Sequence, residues 1–238
     1  MTAVEMKGVQ KAFGEKRVLD GIDLAVESGE VFALMGPSGS GKTTLLRIVA
    51  GLEAPDAGSV ALGDGVPANA DAGRDVGLVM QRPAVFRRSV FENVAYGLRL
   101  RDVPDDKVER QVSAALEQVG LAADSAAKAW KMSAGETQRL CFARAAVLEP
   151  RVLLLDEFTA NLDPTNVALL EGAIRAYNAR TGATVVVVTH NAFQAKRVGH
   201  RAGLLLEGKL VEVSDVRTFF ENPRDDRTRA FVRGEMPY

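Results

Sequence analysis

The sequence predicts an α/β fold built on a mainly parallel β-sheet with helices on both faces. The first observation is a set of nearly unbroken apolar runs, VFALMG at 31–36, VLLLDE at 152–157, TVVVVTH at 184–190 and AGLLLEG at 202–208. Such runs are typical of strands buried on both faces. The second is that helical spacing separates the last three runs. The third is a glycine-rich loop, GPSGSGKTT at 36–44, between a strand and a helix.

The first sixty residues predict short strands and turns around one helix. A strand is expected over VEMKGVQKAF (4–13), and VLDGIDLAVESGE (18–30) has turn residues at positions 20–21 and 28–29. After the glycine-rich loop, TTLLRIVAGL continues with helical spacing as far as Gly51. The loop is therefore expected at a strand–loop–helix junction.

Between residues 83 and 150 the pattern changes to apolar residues three and four apart. This predicts helices over SVFENVAYGLRLR (89–101) and DDKVERQVSAALEQVGLAA (105–123). Pro104, followed by two aspartates, is a helix-start signal. We therefore expect a helical subdomain at 83–150, inserted into a core made of residues 1–82 and 151–238.

The composition limits the classes of partner. The chain has 30 Lys and Arg against 31 Asp and Glu, and this balance argues against a general nucleic-acid binder. Cys141 is the single cysteine, so no internal disulfide can form and a reducing cytosolic setting is expected. The N-terminus has no signal-peptide pattern, and the apolar runs are too short to cross a bilayer. Any action on a membrane is expected to depend on another chain.

The glycine-rich loop fits G-x-x-x-x-G-K-[ST], a phosphate-binding pattern. Its glycines allow backbone N–H groups to surround phosphate oxygens, Lys42 can reach the β and γ phosphates, and the Thr43 hydroxyl can hold Mg²⁺. The following helix N-terminus favours the same anion. The alternative is a glycine-rich loop with a surface lysine. The predicted nucleotide-binding residues are Gly36, Pro37, Ser38, Gly39, Ser40, Gly41, Lys42, Thr43 and Thr44.

Polar groups at the ends of two apolar runs add the chemistry of hydrolysis. Asp156 and Glu157 follow VLLL, and ligands of open parallel sheets bind at this end of the strands. Asp156 can hold the Mg²⁺ shell, and Glu157 can polarise water for attack on the γ phosphate. His190, after the next run, can contact a phosphate oxygen or that water. The alternative is that these residues only face solvent, as we expect for His200.

Three further positions have both a structural and a functional interpretation. SAGE at 133–136 fits a capping box that opens a helix, but a glycine-containing helix start can also offer N–H donors to a phosphate. Gln81 can be an ordinary polar residue at a strand end, and Phe13 can be a core aromatic. Local sequence does not separate these interpretations.

In their order along the chain, these motifs resemble those of the ATP-binding subunits of ABC transporters. GPSGSGKTT resembles the Walker A loop, VLLLDE resembles Walker B, and MSAGE at 132–136 stands in the place of the LSGGQ signature. Gln81 falls at the Q-loop glutamine, ANLD at 160–163 at the D-loop, and His190 at the switch histidine. Phe13 matches the aromatic that stacks on adenine. The resemblance implies a P-loop NTPase core with an N-terminal antiparallel β region and an inserted helical subdomain.

The resemblance also implies a homodimer. Two copies would close head to tail around two ATP molecules, each site combining one chain's phosphate loop with the other chain's signature. The signature residues at the nucleotide would be Ser133, Gly135 and Glu136, and Asp163 would help to join the two sites.

Within each site, the resemblance implies hydrolysis of ATP with Mg²⁺. Glu157 would be the general base, and His190 would contact the γ phosphate. Gln81 would link Mg²⁺ to the helical lobe, so the expected metal-binding residues are Gln81, Thr43 and Asp156.

The implied partners are integral membrane permease subunits and, indirectly, a solute-binding protein. A cleft in the helical lobe that includes Val85 and Phe86 would take a cytoplasmic helix of the permease, at the cytoplasmic face of the cell membrane. The alternative for RPAVFRR (82–88) is a basic nucleic-acid patch, but the interrupting apolar residues favour the transporter contact. No nucleic-acid partner is expected. A soluble ABC protein would usually carry two cassettes or a long coiled coil, and neither is present.

Two residues depart from the family pattern. Ala134 replaces the first glycine of the signature pair, which would cost about 1 kcal/mol at a positive φ and little at a helical φ. Phe158 stands where a proline usually follows the Walker B glutamate, which could alter how Glu157 is held. A switch that binds ATP without hydrolysis is the alternative, but we expect hydrolysis because every charged and polar catalytic group is present.

The transported solute has the weakest signal. The chain is expected to lack the regulatory domain of some sugar importers and to have no fused transmembrane domain. The second feature is usual for importers and is shared by some exporters. The tail FFENPRDDRTRAFVRGEMPY (219–238), with ETQR and TANLDP, resembles the tungstate importer group. Tungstate is therefore the solute that we expect first, and any other solute is the alternative.

Overall fold

The structure of the chain is a computed structural model that describes residues 1–63, 65–68, 75–82 and 84–236. Residue 83, where we place the start of the helical subdomain, and residues 237–238 of the tail lie outside this part. The strands are β1 (Thr2–Phe13), β2 (Lys16–Glu27), β3 (Val31–Met35), β4 (Ala57–Leu62), β5 (Val66–Pro67), β6 (Val76–Val79), β7 (Val152–Asp156), β8 (Thr184–Val188), β9 (Arg201–Leu206) and β10 (Lys209–Asp215).

The α-helices alternate with these strands in the core and follow one another in the middle of the chain. They are α1 (Lys42–Val49), α2 (Val90–Arg99), α3 (Asp105–Gln118), α4 (Ala134–Ala146), α5 (Pro164–Thr181), α6 (Ala192–Val198), α7 (Val216–Glu221) and α8 (Asp226–Val232). The helix-start signal at Pro104 is confirmed, because Pro104 is the N-cap of α3.

The strands form two sheets, which confirms the predicted fold class. The antiparallel sheet has the order β2-β1-β4-β5 and contains the N-terminal region. The other sheet has the order β10-β9-β3-β8-β7-β6, and all its neighbouring strands are parallel except β9 and β10. Every residue of β3, β7 and β8 is buried, as their unbroken apolar runs predict.

One predicted turn is wrong. Strand β2 continues through positions 20–21, although the turn at 28–29 is present. Val9 of β1 pairs with Ile22 and Lys11 with Leu19, so β2 contains one extra residue between these pairs. Gly21 adopts a φ of 72° at this bulge. A glycine beside an aspartate is equally compatible with a turn and a bulge, and only strand pairing separates the two.

The parallel sheet brings separate motifs to one edge. Strands β3, β8, β7 and β6 are consecutive neighbours with the same direction, so their carboxyl ends meet at one side. Gly36, Asp156, His190 and Gln81 lie at or just beyond these four ends. The sheet therefore brings together, at one edge, residues that are up to 154 positions apart in sequence.

Helices α2, α3 and α4 form the predicted helical lobe. Their buried side chains, such as Val94, Val112 and Leu140, belong to one apolar cluster with Leu153 and Val185 of the sheet. The lobe is therefore packed directly onto one face of the sheet, and the boundaries 83–150 stay a proposal. The other face carries α1 and the antiparallel sheet.

Candidate functional site

The glycine-rich loop turns back on itself before α1. Gly36, Gly39 and Gly41 have φ values of 147°, 80° and 108°, a region that side-chain-bearing residues rarely adopt. A Cβ on Gly36 would lie 2.1 Å from the carbonyl oxygen of Leu205, and one on Gly41 would lie 2.8 Å from that of Val18. Bare backbone is therefore required here, both by conformation and by close packing.

Lys42 is the first residue of α1 and is only 5% exposed, so the alternative of a surface lysine is wrong. Its Nζ donates to the carbonyl oxygens of Gly36 and Pro37, each at 2.9 Å. Burial lowers the pKa of Lys42, and the nearby carboxylates of Glu157 and Asp156 oppose that shift. The loop thus curls around a buried amine, which is a suitable arrangement for binding an anion.

Thr43 and Asp156 join the loop to the sheet. The Thr43 hydroxyl lies 2.9 Å from Oδ2 and 3.1 Å from Oδ1 of Asp156. Burial raises the pKa of Asp156, and the hydrogen bond from Thr43 opposes this. Mg²⁺ prefers oxygen ligands and usually takes only one or two carboxylates together with substrate phosphates. The hydroxyl and carboxylate oxygens fit that ion, although the described residues contain no group of three or more His, Cys, Asp or Glu arranged as a metal site.

The Glu157 carboxylate has three polar side chains as neighbours, and the Glu157 backbone is hydrogen-bonded to the next strand. Its Oε2 accepts a hydrogen bond of 3.0 Å from Gln81 Nε2 and lies 3.7 Å from His190 Nδ1, while its Oε1 lies 3.8 Å from Lys42 Nζ. Its φ is 41°, and its backbone N–H donates to the carbonyl oxygen of Val188. The structure therefore brings the predicted Gln81, Lys42 and His190 around one carboxylate that is 16% exposed.

Phe158, the departure beside Glu157, is fully buried in the apolar cluster that the sheet shares with the helical lobe. Packing of its ring in this cluster fixes the position that directly follows Glu157. The expectation that Phe158 affects how Glu157 is held stays a prediction.

Phe13 ends β1 beside the phosphate loop. Its side chain is 51% exposed, and Lys11 Nζ lies 5.3 Å from the ring centroid. The alternative of a core aromatic is therefore wrong. A cleft of about 380 Å³ lies between this ring, the loop and the carboxylate, and its lining is Phe13, Lys16, Val18, Ser38, Gly39, Gly41, Lys42, Thr43, Thr44, Gln81 and Glu157.

The sequence did not point to Lys16 in this cleft. It is the first residue of β2, directly after the turn that follows Phe13. The available signal was a basic residue three positions after Phe13, the aromatic that the resemblance places at adenine. His200, by contrast, is exposed as expected, and its Nδ1 accepts the Val31 N–H at 3.0 Å.

The signature segment forms the predicted capping box at the start of α4. Ser133 Oγ accepts from the backbone N–H of Glu136, and Glu136 Oε2 accepts from the backbone and hydroxyl of Ser133 at 2.8 and 2.7 Å. The Ser133 side chain and backbone together lower the pKa of Glu136. Ala134 is the first helical residue, and its φ is not positive, so the lower of its two expected costs applies.

Gly135 is buried where α4 meets α5. A Cβ at this position would lie 2.5 Å from the Asn166 side chain. Asn166 in turn donates to Asp163, which caps α5 by accepting the backbone N–H groups of Thr165 and Asn166. Hydrogen bonds from Asn166 are the main reason for the lowered pKa of Asp163. Asn166 therefore lies between the signature residue Gly135 and the D-loop residue Asp163, and none of these three residues lines the cleft at the phosphate loop.

A second groove, of about 440 Å³, runs along the edge strand β6 beside α4. Phe86 lines it and is 40% exposed, with its ring centroid 4.7 Å from that of Tyr96 and 5.2 Å from the guanidinium carbon of Arg144. Val85 packs instead against the apolar core. Across the described ranges, no helix combines the length and hydropathy needed to cross a bilayer.

Comparison with known proteins places these motifs in context. The family model described as "ABC transporter" matches residues 19–160. The chain is 41% identical to the "Probable anion import ATP-binding protein" of Haloferax volcanii, covering 100% of this chain and 88% of that protein. It is 41% identical to the "Phosphate import ATP-binding protein PstB 2" of Natronomonas pharaonis, covering 97% and 86%.

Two further similarities concern a tungstate protein and a solved structure. The chain is 37% identical to the "Tungstate uptake system ATP-binding protein TupC" of Peptoclostridium acidaminophilum, covering 88% of this chain and 97% of that protein. The structure of cbiO1 from Clostridium perfringens, part of the ABC transporter complex cbiONQ, superposes with a TM-score of 0.85. It is 25% identical to this chain, and the match covers 99% of each.

Proposed function

This chain belongs to the ABC transporter family and is an ATPase of that type, and we propose that it energises the import of an oxyanion through membrane partner subunits. The observation that carries the ATPase chemistry is the convergence of Lys42, Gln81 and His190 on the Glu157 carboxylate. A carboxylate held at the end of a buried strand beside a phosphate-binding loop is suited to activating water for phosphoryl transfer.

The proposed reaction gives each of these side chains a role. Glu157 accepts the proton of the attacking water while the Gln81 amide keeps its carboxylate oriented. Lys42 places its charge on the transferring phosphate, and His190 donates to a γ-phosphate oxygen. Thr43 and Asp156, with Gln81, are the residues that would hold Mg²⁺. When bound, Mg²⁺ neutralises charge on the β and γ phosphates.

Nucleotide binding is proposed to begin in the cleft of one chain and to be completed by a second copy. Phe13 offers an exposed ring for adenine, and the loop from Gly36 to Thr44 offers N–H donors to the phosphates. The Ser133 end of α4 is exposed and lies outside this cleft. We propose that it binds the phosphates held by a partner copy, so that two copies form two sites.

The membrane partner is proposed to dock at the groove beside β6. Exposed Met80 and Phe86 line this groove, and the Tyr96 ring packs against Phe86. Gln81 directly follows Met80 in the sequence and contacts Glu157. A permease helix seated there would communicate with the catalytic carboxylate through a single residue. The chain would then work at the cytoplasmic face of the membrane, with 83–150 as the helical subdomain that moves with the permease.

Tungstate is the oxyanion that we propose first. The tail from Phe219, the segments ETQR and TANLDP, and the similarity to the tungstate uptake protein support this choice. Phosphate is the main competitor, because the phosphate import relative is somewhat more similar. The solute itself would be selected by the permease and the binding protein.

The test is phosphate release by the chain purified with its membrane subunits in lipid. Solute-binding protein loaded with tungstate, molybdate, sulfate or phosphate is added in turn. We expect the tungstate-loaded protein to give the largest stimulation and Glu157→Gln to abolish it. If only the phosphate-loaded binding protein stimulated phosphate release, phosphate would replace tungstate as the proposed solute. Equal stimulation by all four loaded proteins would contradict the proposed specificity.

A further inference from the structure

A half-buried threonine, Thr159, is hydrogen-bonded to a buried glutamine, Gln194, close in sequence to Glu157 and His190. Gln194, in α6, has 0% exposure, and its Oε1 and Nε2 lie 3.1 and 2.9 Å from the Thr159 hydroxyl oxygen. The hydroxyl therefore donates to the amide oxygen and accepts from the amide nitrogen. A buried amide is unfavourable unless it is hydrogen-bonded, and an apolar residue would fill this position without that requirement.

The pair connects the two segments that carry the catalytic groups. Thr159 follows Glu157 by two residues, and Gln194 follows His190 by four. The Glu157 carboxylate and the His190 ring are 3.7 Å apart, yet they belong to different strand ends. Neither Thr159 nor Gln194 lines the nucleotide cleft, so any effect on the reaction must pass through the residues that they hold.

Helix α6 is fixed at further points. The Asn191 side chain caps it by accepting the Gln194 backbone N–H at 3.1 Å. Arg197 forms two hydrogen bonds of 2.7 Å with the buried carboxylate of Glu171 in α5. Because α6 is only seven residues long, these contacts leave the preceding His190 with little freedom relative to α5.

We propose that Thr159 and Gln194 are positioning residues that set the separation between Glu157 and His190. This assignment rests on the proposed function, in which both groups act on the same phosphate and water. Glu157 has a φ of 41°, so its side-chain direction depends on how the following residues are anchored. A displacement of about 1 Å in a catalytic group can cost up to about a hundredfold in rate.

The experiment measures phosphate release against MgATP concentration for the chain purified with its membrane subunits. Thr159→Val and Gln194→Met each remove one partner, and both are expected to lower kcat by roughly ten- to a hundredfold while KM for ATP changes little. Thr159→Ser keeps the hydroxyl and is expected to retain the unmodified rate. The double variant replaces both partners with apolar groups of similar shape. Its melting temperature is therefore expected to be close to that of the unmodified chain, while its rate of ATP hydrolysis stays low.

The control is Thr181→Val, at the opposite end of the sheet. The Thr181 hydroxyl donates to the Tyr177 carbonyl oxygen and accepts the Ala183 N–H, so its loss should lower the melting temperature without changing kcat. Unimpaired kcat in Thr159→Val and Gln194→Met would overturn the positioning role alone, as would an equal loss in the Thr181 control. No phosphate release by the unmodified complex would overturn the proposed function together with this role.

Discussion

The nucleotide cleft and the exposed start of α4 differ in the burial of their polar groups and in the hydrogen-bond partners that the same chain supplies. Lys42 of the cleft and Asp156, which contacts the cleft residue Thr43, are buried, and each already has hydrogen-bond partners from its own chain. At the start of α4, Ser133 and Ala134 are exposed, and the Ser133 hydroxyl is engaged by Glu136 three residues away. One region is preorganised by the sheet, whereas the other presents a capped helix N-terminus to solvent.

This difference underlies our proposal that a second copy completes the site at the start of α4. The buried amine of Lys42, after β3, and the two carboxylates at the end of β7 come together only through long-range packing, which one chain supplies. A helix N-terminus requires only local capping and becomes an anion site when a phosphate is brought to it. The comparison therefore predicts that changes in the cleft affect chemistry, whereas changes at the start of α4 affect association.

The largest effect is expected from Glu157→Gln. Loss of the general base should lower kcat by about 10² to 10⁴, while the bound ATP and the fold are retained because the amide keeps the size of the side chain. Phosphate release and nucleotide retention check this in one preparation. Hydrolysis at the unmodified rate would remove Glu157 from its role.

A smaller effect, on packing and association, is expected from Gly135→Ala. The new Cβ would meet Asn166 at 2.5 Å, so we expect a loss of about 1–3 kcal/mol in the free energy of unfolding and weaker association in MgATP. Ala134→Gly is the matched control, because this exposed helix-start position should change stability by no more than about 1 kcal/mol. Denaturant unfolding compares the two, and equal losses would contradict the packing argument.

Phe13→Leu is expected to weaken ATP binding moderately. The half-exposed ring contributes little to the fold, but loss of aromatic stacking should cost about 0.5–1.5 kcal/mol in binding free energy. Titration with MgATP measures this, and Phe220→Leu in the C-terminal cluster is the control. Equal affinity in both variants would remove Phe13 from the nucleotide site.

The smallest effect is on the pH dependence of stability, and its sign should differ between Asp156 at the end of β7 and Asp163 at the start of α5. Burial raises the pKa of Asp156, so its ionisation destabilises the fold as pH rises through the folded pKa. The melting temperature of Asp156→Asn should therefore be higher than that of the unmodified chain at neutral pH. Hydrogen bonds from Asn166 lower the pKa of Asp163, so its contribution is lost as pH falls through the folded pKa.

Asp163→Asn should therefore melt lower at neutral pH, with the difference shrinking in acid. Thermal unfolding of both nucleotide-free variants from neutral to acidic pH measures the two signs. Shifts of the same sign would contradict the comparison.

The parts of the site that could be predicted are those encoded by local sequence. The loop at Lys42 combines a motif with an apolar strand before it, and the Ser133 capping box spans four residues. The Gly21 bulge was mistaken for a turn because strand pairing decides it. The Gly135–Asn166 contact and the Thr159–Gln194 pair join residues distant in sequence, so no local pattern reveals them.

The most direct test of the composite site is the mass of the Glu157→Gln chain in saturating MgATP, measured by light scattering. The account predicts particles of twice the mass of one chain that retain ATP and return to single chains when nucleotide is removed. Single chains that retain ATP under the same conditions, alone and with the membrane subunits present, would contradict the proposal that a second copy's Ser133 completes each site.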